Sequence, residues 1–505
     1  MGKQFDEASQ FLRARTLVEC LQNAAAGSGT ISFVETDLSH VAWKWGELRE
    51  RALKRLALMR AAGVMPGASV LLIVKSLPQW VEGFWAAVSG GFLVVPLAPP
   101  SGEEDVERIV RILGEHDSPW LLTDIDNLPS SILKCVEGRV LSARALSPEE
   151  DQSVAPAEPV NPRPEDLALL QYSSGSTSAP KGVMVTHANL IVNLHACIER
   201  FGAENFARTL SWLPLTHDFG LILLHMAPLA IGADNRLIPT GVFMKDPLLY
   251  LDEATDMHAT FMATSNAILA RMLADATPER AAKWDLSSIR CYPNGAEQID
   301  MVLLKRFVDM IAAHGCPETA MMPGYGLAEA TLVVSVTPVG AGMRQMTVAR
   351  KKAGWGDRIV EYDPAKENLS PEERMIVTSI GTPLSIWDIR MTDADGKPVE
   401  DGVVGVLEIR SESTASGYWR NERLTKGLYA EDGWLITGDL AYMKDGWIYI
   451  VGRVKDLIIL NGANYFPHDL ERILSTSLGI VPEKVVAAAV PVTDEKGAVS
   501  YTHLR

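Results

Sequence analysis

"QYSSGSTSAPKGVMVTH" runs from Gln171 to His187. Hydroxyl, amide and glycine residues crowd its first half, and Pro180, Lys181 and Gly182 close it before an apolar run resumes. Ser/Gly-rich stretches are usually solvated linkers, but this one is poorly placed for that. It follows "LALLQY", which reads as a buried strand, and precedes "VMVTHANLIVNLHACI", whose later part has helical spacing with Thr186 or Asn189 as its cap. Strand, hydroxyl-rich loop, lysine and helix together suit phosphate: backbone N–H groups and hydroxyls donate, and lysine supplies charge. The Walker pattern does not fit, because Pro180 precedes Lys181 and Gly182 follows it. A kinase glycine loop does not fit either.

Outward from this loop, strands alternate with helices. "TISFVET" reads as a strand and "VAWKWGELRERALKRLALMRAAGV" as an amphipathic helix; "ASVLLIVKS" and "PQWVEGFWAAVSG" repeat the pair. The expectation is an α/β fold with mostly parallel strands. Residues 83–102 carry no charge, but Gly90, Gly91, Pro96, Pro99 and Pro100 interrupt them. They read as a buried helix end and a strand ("GFLVVPLAP"), with no membrane span. Residues 149–166, rich in proline and acid, read as a surface connector. From about residue 376 short strands and turns dominate, and Asp395-Gly396, Asp401-Gly402 and Asp445-Gly446 predict hairpins in a β-rich unit.

The 505-residue chain carries a net charge of -16, which argues against bulk attraction to nucleic acid or anionic membrane. Its five cysteines are far apart and form no metal-type pair, as suits a reducing cytoplasm. The N-terminus has no apolar signal core, and Asp6 does not fit a myristoylation site.

Further polar groups sit between apolar runs: His217 and Asp218 in "SWLPLTHDFGLI", the turn Asn294–Glu297, Tyr325 and Glu329 in "YGLAEATL", Asp439 in "TGDL", and Arg453, Lys455 and Asp456 in "GRVKDLIILNG". Each alone reads as readily as a plain turn, cap or solvated residue. In this order they resemble the adenylate-forming superfamily of acyl-CoA synthetases, luciferases and peptide-synthetase adenylation domains. Within it the chain is most similar to fatty acyl-AMP ligases, through "SWLPLTHDFGLI", "YGLAEATL", "NGANYFPHDLE" and an extra segment at 345–381. That segment resembles an insertion associated with poor use of free CoA. Most relatives have glycine where this chain has Ser178.

The resemblance implies two mostly parallel sheet-plus-helix subdomains (1–165 and 166–345) and a small β-barrel-like unit (346–453). An incomplete α+β C-terminal domain would follow (454–505), with the hinge at Lys455 and Asp456. It implies ATP-dependent formation of acyl-AMP from a fatty or other carboxylic acid, then transfer to the phosphopantetheine thiol of an acyl carrier protein. Ser173, Ser174, Gly175, Ser176, Thr177 and Lys181 would hold the β- and γ-phosphates, and Glu329 would bind Mg²⁺. Tyr325 would stack on adenine beside Gly326 and Leu327, with Asn294, Gly295, Ala296 and Glu297 along its edge. Asp439 would accept from the ribose hydroxyls, Arg453 would hold ribose or phosphate, and His217 would sit by the acyl carboxylate. "FMATSNAIL" (261–269) would line the acyl tunnel. The family's late lysine has no counterpart before Arg505, so the chain is expected to be a truncated form of a longer protein. Two alternatives stay open: an acyl-CoA synthetase using CoA, and a non-catalytic nucleotide-binding fragment.

Overall fold

The computed structural model describes residues 13–173, 180–366, 368–370 and 373–460, and the short stretches 463–467, 470–471, 491–493 and 499–501. The first hairpin joins β1 (Thr30–Val34) to β2 (His40–Lys44) through a turn with Leu38 at φ 65°. This corrects the expected helix start at Val41. Val41 to Lys44 pair with β1, and the helix begins at Trp45 and ends at Ala61. The Asp37 carboxylate fixes the turn by accepting from the Ser39 N–H at 3.0 Å.

The next six strands form one sheet: β3 (Ser69–Ile73), β4 (Leu93–Pro96), β5 (Trp120–Thr123), β6 (Val140–Ser142), β7 (Leu167–Ser173) and β8 (Lys181–Thr186). Their order is β6-β5-β3-β4-β7-β8, parallel except for the antiparallel pair β7/β8. All five residues of β3 are buried, as expected for a strand covered on both faces. The helix Leu77–Ser89 packs against the helix Trp45–Ala61, where Arg55 and Glu82 form a buried ion pair at 2.8 Å. No helix among the described residues is long and apolar enough to cross a membrane.

Strands β9 (Arg208–Ser211) and β10 (Asp234–Leu237) join the first hairpin in the order β2-β1-β10-β9. A third sheet follows with β11 (Tyr292–Asn294), β12 (Met321–Gly326), β13 (Val333–Val336) and β16 (Thr382–Pro383), linked to β9 through Phe261, which bridges to Thr209 and Cys291. Thus β1 and β2 join strands from beyond residue 200, while β7 and β8 complete the earlier sheet. Sheet membership crosses the expected boundary at residue 165, and the segment 149–166 clamps the first lobe through Ala157 N–H to Leu53 O and Val160 N–H to Ser89 O.

The β-rich unit combines the hairpin β14 (Gln345–Ala349) and β15 (Arg374–Thr378) with the antiparallel sheet β17 (Asp388–Thr392), β18 (Gly405–Arg410), β19 (Leu435–Lys444) and β20 (Trp447–Arg453). Its core contains Met346, Val348, Tyr442, Trp447, Tyr449 and, from beyond the expected hinge, Phe466. The two-residue turn Asp445-Gly446 has both φ angles positive, 52° and 78°, the geometry that matches strand twist in a tight hairpin.

Candidate active site

The opening stretch is a hairpin. Ser173 pairs with Lys181 and Tyr172 with Gly182 across β7 and β8. Lys181 therefore opens a second strand, which the expected order of strand, loop, lysine and helix lacked. The helix His187–Phe201 begins after β8, with Thr186 and Asn189 forming a reciprocal capping box. Ser174, Gly175, Ser176, Thr177 and Ser178 lie outside the described residues, as does the Ser173 side chain.

One cavity of about 1030 Å³ gathers most of the other expected residues: Lys181, His217, Glu329, Tyr325, Asp439 and Arg453 all line it. Asn294, Gly295, Ala296, Gly326 and Leu327 line it too. Five cations (Arg108, Lys181, Arg423, Arg453, Lys455) face three carboxylates (Asp218, Glu329, Asp439) along its wall. The whole chain has the opposite balance, so the local field favours an anion.

Asp439 and Arg453 are direct cross-strand partners on β19 and β20. The Asp445-Gly446 turn sets Lys444 opposite Trp447, and a bulge between Leu440 and Ala441 then shifts the register by one. Without the bulge, Asp439 would face Gly452. With it, the Arg453 Nε donates to Asp439 at 3.1 Å. The Tyr325 hydroxyl donates to the other Asp439 oxygen. Asp439 is 5% exposed. Burial raises its pKa, against the lowering effect of Tyr325 and Arg453. Burial and the neighbouring Asp439 carboxylate push the Tyr325 phenol well above its ordinary value, so it stays a donor.

β11 and β12 run parallel, with Asn294 opposite Pro323, and this carries the Asn294–Ala296 turn beside Tyr325. Asn294 is 1% exposed, yet neither its Nδ2 nor its Oδ1 has a hydrogen-bond partner among the described residues. A buried amide with donor and acceptor both unused is suited to a base edge that presents the complementary pair. Gly326 is required by close approach, since a Cβ there would stand 2.0 Å from Leu332 O. Glu297 does not line the cavity; its carboxylate accepts from Ala267 N–H at 3.0 Å, at the start of the helix Asn266–Asp275.

Glu329 lies in the short helical turn Ala328–Ala330. The following Thr331 has φ 71° and ψ -55°, a strained γ-turn conformation for a β-branched residue. Its Oγ1 donates to Ser413 O at 2.6 Å and its N–H to Ala328 O, so the surrounding backbone holds the turn. The Tyr418 hydroxyl donates to Glu329 Oε1 at 2.6 Å, and Lys181 Nζ stands 5.3 Å from the centre of the Tyr418 ring. Tyr418 thus separates the cation from the carboxylate. Sequence reading missed it, because "SGYWR" carries no polar cluster between apolar runs.

His217 and Asp218 precede the π-helix Phe219–Met226, and His217 Nδ1 lies 2.8 Å from Asp218 Oδ1. The Asp218 bond raises the imidazole pKa, and burial opposes it. Apolar side chains share the wall, among them Phe201, Phe219, Leu223, Val333 and Val336. Residues 261–269 do not reach this wall. Phe261, Met262 and Ala263 are fully buried, and Phe261 stacks on Phe206.

The family profile described as AMP-binding enzyme matches residues 21–419. The chain belongs to the AMP-binding enzyme family. It is 30% identical over 433 residues to the long-chain-fatty-acid–AMP ligase FadD32 of Mycolicibacterium smegmatis, covering 80% of this chain and 68% of the relative. It is 28% identical to the medium-chain-fatty-acid–[acyl-carrier-protein] ligase JamA of Moorena producens, covering 93% and 79%. A solved structure from a study of fatty acyl-adenylate ligases of E. coli and L. pneumophila superposes with a TM-score of 0.86 at 28% identity, over 97% of this chain and 87% of the other. Relatives named for CoA ligation also match. The α/β architecture and the use of ATP expected from the motifs follow from this membership.

Proposed function

We propose that the protein uses ATP to convert a fatty acid to acyl-AMP with release of pyrophosphate. The acyl group then passes to the phosphopantetheine thiol of an acyl carrier protein. The observation that carries this reading is one cavity whose wall holds the bonded group Asp439, Tyr325 and Arg453 together with Lys181, Glu329, His217 and apolar side chains such as Phe219 and Leu223. An ionised carboxylate accepts several hydrogen bonds, so Asp439 keeps capacity for ribose hydroxyls beside Tyr325 and Arg453. The unused amide of Asn294 suits the adenine edge, and the Tyr325 ring flanks it. Lys181, with the hydroxyl-rich loop before it, supplies charge and donors for the phosphates. His217 lines the cavity together with Asp218 and Phe219 and would receive the acid's carboxylate.

Glu329 fits Mg²⁺, because this cation takes one or two carboxylates and completes its shell with phosphate oxygens and water. Bound there, the ion would neutralise charge on the triphosphate. Tyr418 would orient Glu329 for it through the 2.6 Å hydrogen bond. Five unpaired cysteines support a cytoplasmic setting.

The carrier thiol is favoured over CoA because Phe466, past the expected hinge, is buried in the core that the 345–381 segment helps to form. Such packing supports restrained hinge rotation. The test is acid-dependent pyrophosphate release with a panel of fatty acids, followed by acyl transfer to holo carrier protein and to CoA in parallel. Acyl-AMP formation with transfer to the carrier is expected. Robust acyl-CoA formation would favour the synthetase reading, and nucleotide binding without pyrophosphate release would favour a non-catalytic role.

A further inference from the structure

Arg108 lies on the helix Glu103–Gly114, which follows β4. β4 and β7 are parallel neighbours. The chain leaving β4 at Pro96 and the end of β7 at Ser173 therefore share the carboxyl edge of the sheet, where open α/β sheets bind ligands. The helix is tied to that edge by the Tyr172 hydroxyl, which donates to Glu115 at 2.7 Å. Arg108 lines the cavity beside Pro96, Leu97, Ala98, Tyr172 and Lys181.

Its hydrogen bonding is incomplete. The Arg108 Nε is shielded from solvent and has no hydrogen-bond partner among the described residues. The ion-paired carboxylate, on Asp105, stands 3.9 Å from the guanidinium, beyond hydrogen-bond range. Asp105 is held in place through its other oxygen, Oδ2, which accepts from the Ser101 N–H at 3.0 Å and the Ser101 hydroxyl at 2.5 Å. The side chain is 37% exposed, so a ligand can reach it. A partly exposed guanidinium with no carboxylate in hydrogen-bond range has terminal donors to offer, and its planar shape suits the paired oxygens of a phosphate. No motif in the sequence assigns this residue.

We infer that Arg108 is a phosphate-binding residue at the mouth of the cavity. It donates through its terminal nitrogens to two phosphate oxygens, alongside Lys181. The inference rests on the acyl-adenylating reading, in which two phosphates reach this edge: the pyrophosphate end of the nucleotide, and the phosphodiester of the pantetheine arm.

Calorimetry with inorganic pyrophosphate and, separately, with 4′-phosphopantetheine tests it without turnover, on the unaltered chain and on Arg108→Gln and Arg108→Lys. Loss of charge-assisted hydrogen bonds should weaken one ligand by about tenfold or more in Arg108→Gln. Arg108→Lys should recover part of the loss, because it keeps the charge and loses the fork. Weakening confined to pyrophosphate assigns the nucleotide end; weakening confined to phosphopantetheine assigns the arm. Unchanged affinity for both, or no binding of either by the unaltered chain, overturns the inference. Exchange of pyrophosphate into ATP is measured in parallel, and its failure with the binding results intact would count only against the adenylating reading.

Discussion

His217 is the titratable residue whose environment most directly sets a pH response. Its side chain is half exposed and bonded to Asp218, which raises its pKa above the ordinary 6.5 while burial opposes the shift. A raised histidine pKa contributes stability that is fully present below the unfolded value and is lost as pH rises through the folded value. The window therefore opens near 6.5 and extends upward. Solvent screening keeps the stability effect small. The effect on a carboxylate ligand should be larger, since only the imidazolium attracts it. NMR titration should place His217 above 6.5, and Asp218→Asn should lower the midpoint. The KM for the acid should rise as pH passes that midpoint. An Asp218→Asn variant with an unchanged midpoint would exclude the carboxylate as the cause. His217 was legible in the sequence because it breaks an apolar run. Tyr418 and Arg108 were not, since a tyrosine in a turn and an arginine on an amphipathic helix look like ordinary surface residues until packing shows what they face.

At the scale of elements, the site depends on backbone features that fix single side chains. The Asp-Gly turn between β19 and β20 was readable from the sequence, and it sets the hairpin. The bulge that then brings Arg453 opposite Asp439 was not, because a one-residue register shift leaves no compositional mark. The hairpin β7/β8 was misread for a related reason. "KGVMVT" is short and apolar enough to pass for a lead-in to the helix that follows it. The turn carrying Glu329 combines the strained Thr331 with the hydrogen bond from Tyr418. Tyr418→Phe removes that bond and keeps the ring beneath Lys181. It should leave metal-free ATP binding near its original strength. Binding of ATP with Mn²⁺ as probe should weaken by roughly tenfold, the value of one hydrogen bond to a charged group. Calorimetry with and without the metal separates the two, and equal weakening in both would show a structural role alone.

Across the whole molecule, the proposed choice of acyl acceptor rests on one packed contact. The segment 345–381 was legible as an addition to the usual pattern, but the sequence gives no sign of what it touches. Its hairpin β14/β15 shares a core with β19, β20 and Phe466. Gly452 makes room for the Phe466 ring, since a Cβ there would stand 2.1 Å from a ring carbon. Both residues flank the expected hinge at Lys455 and Asp456, so this contact holds the chain beyond the hinge against the β-rich unit. Replacing Phe466 by Ala empties a buried aromatic site, a loss of about 3–5 kcal/mol of packing where the surroundings cannot collapse. Phe466 does not line the cavity that holds Asp439 and Arg453, and those two residues keep their own bond. Phe466→Ala should therefore form acyl-AMP at nearly the original rate while transferring more of it to CoA. A Gly452→Ala variant, which forces the ring out by steric conflict, should shift acceptor use the same way. The measurement is the ratio of acyl-CoA to acyl-carrier formed from one pool of acyl-AMP. If that ratio stays unchanged in both variants while adenylation persists, the Phe466 contact does not restrain the hinge, and acceptor choice must be set elsewhere in the cavity mouth.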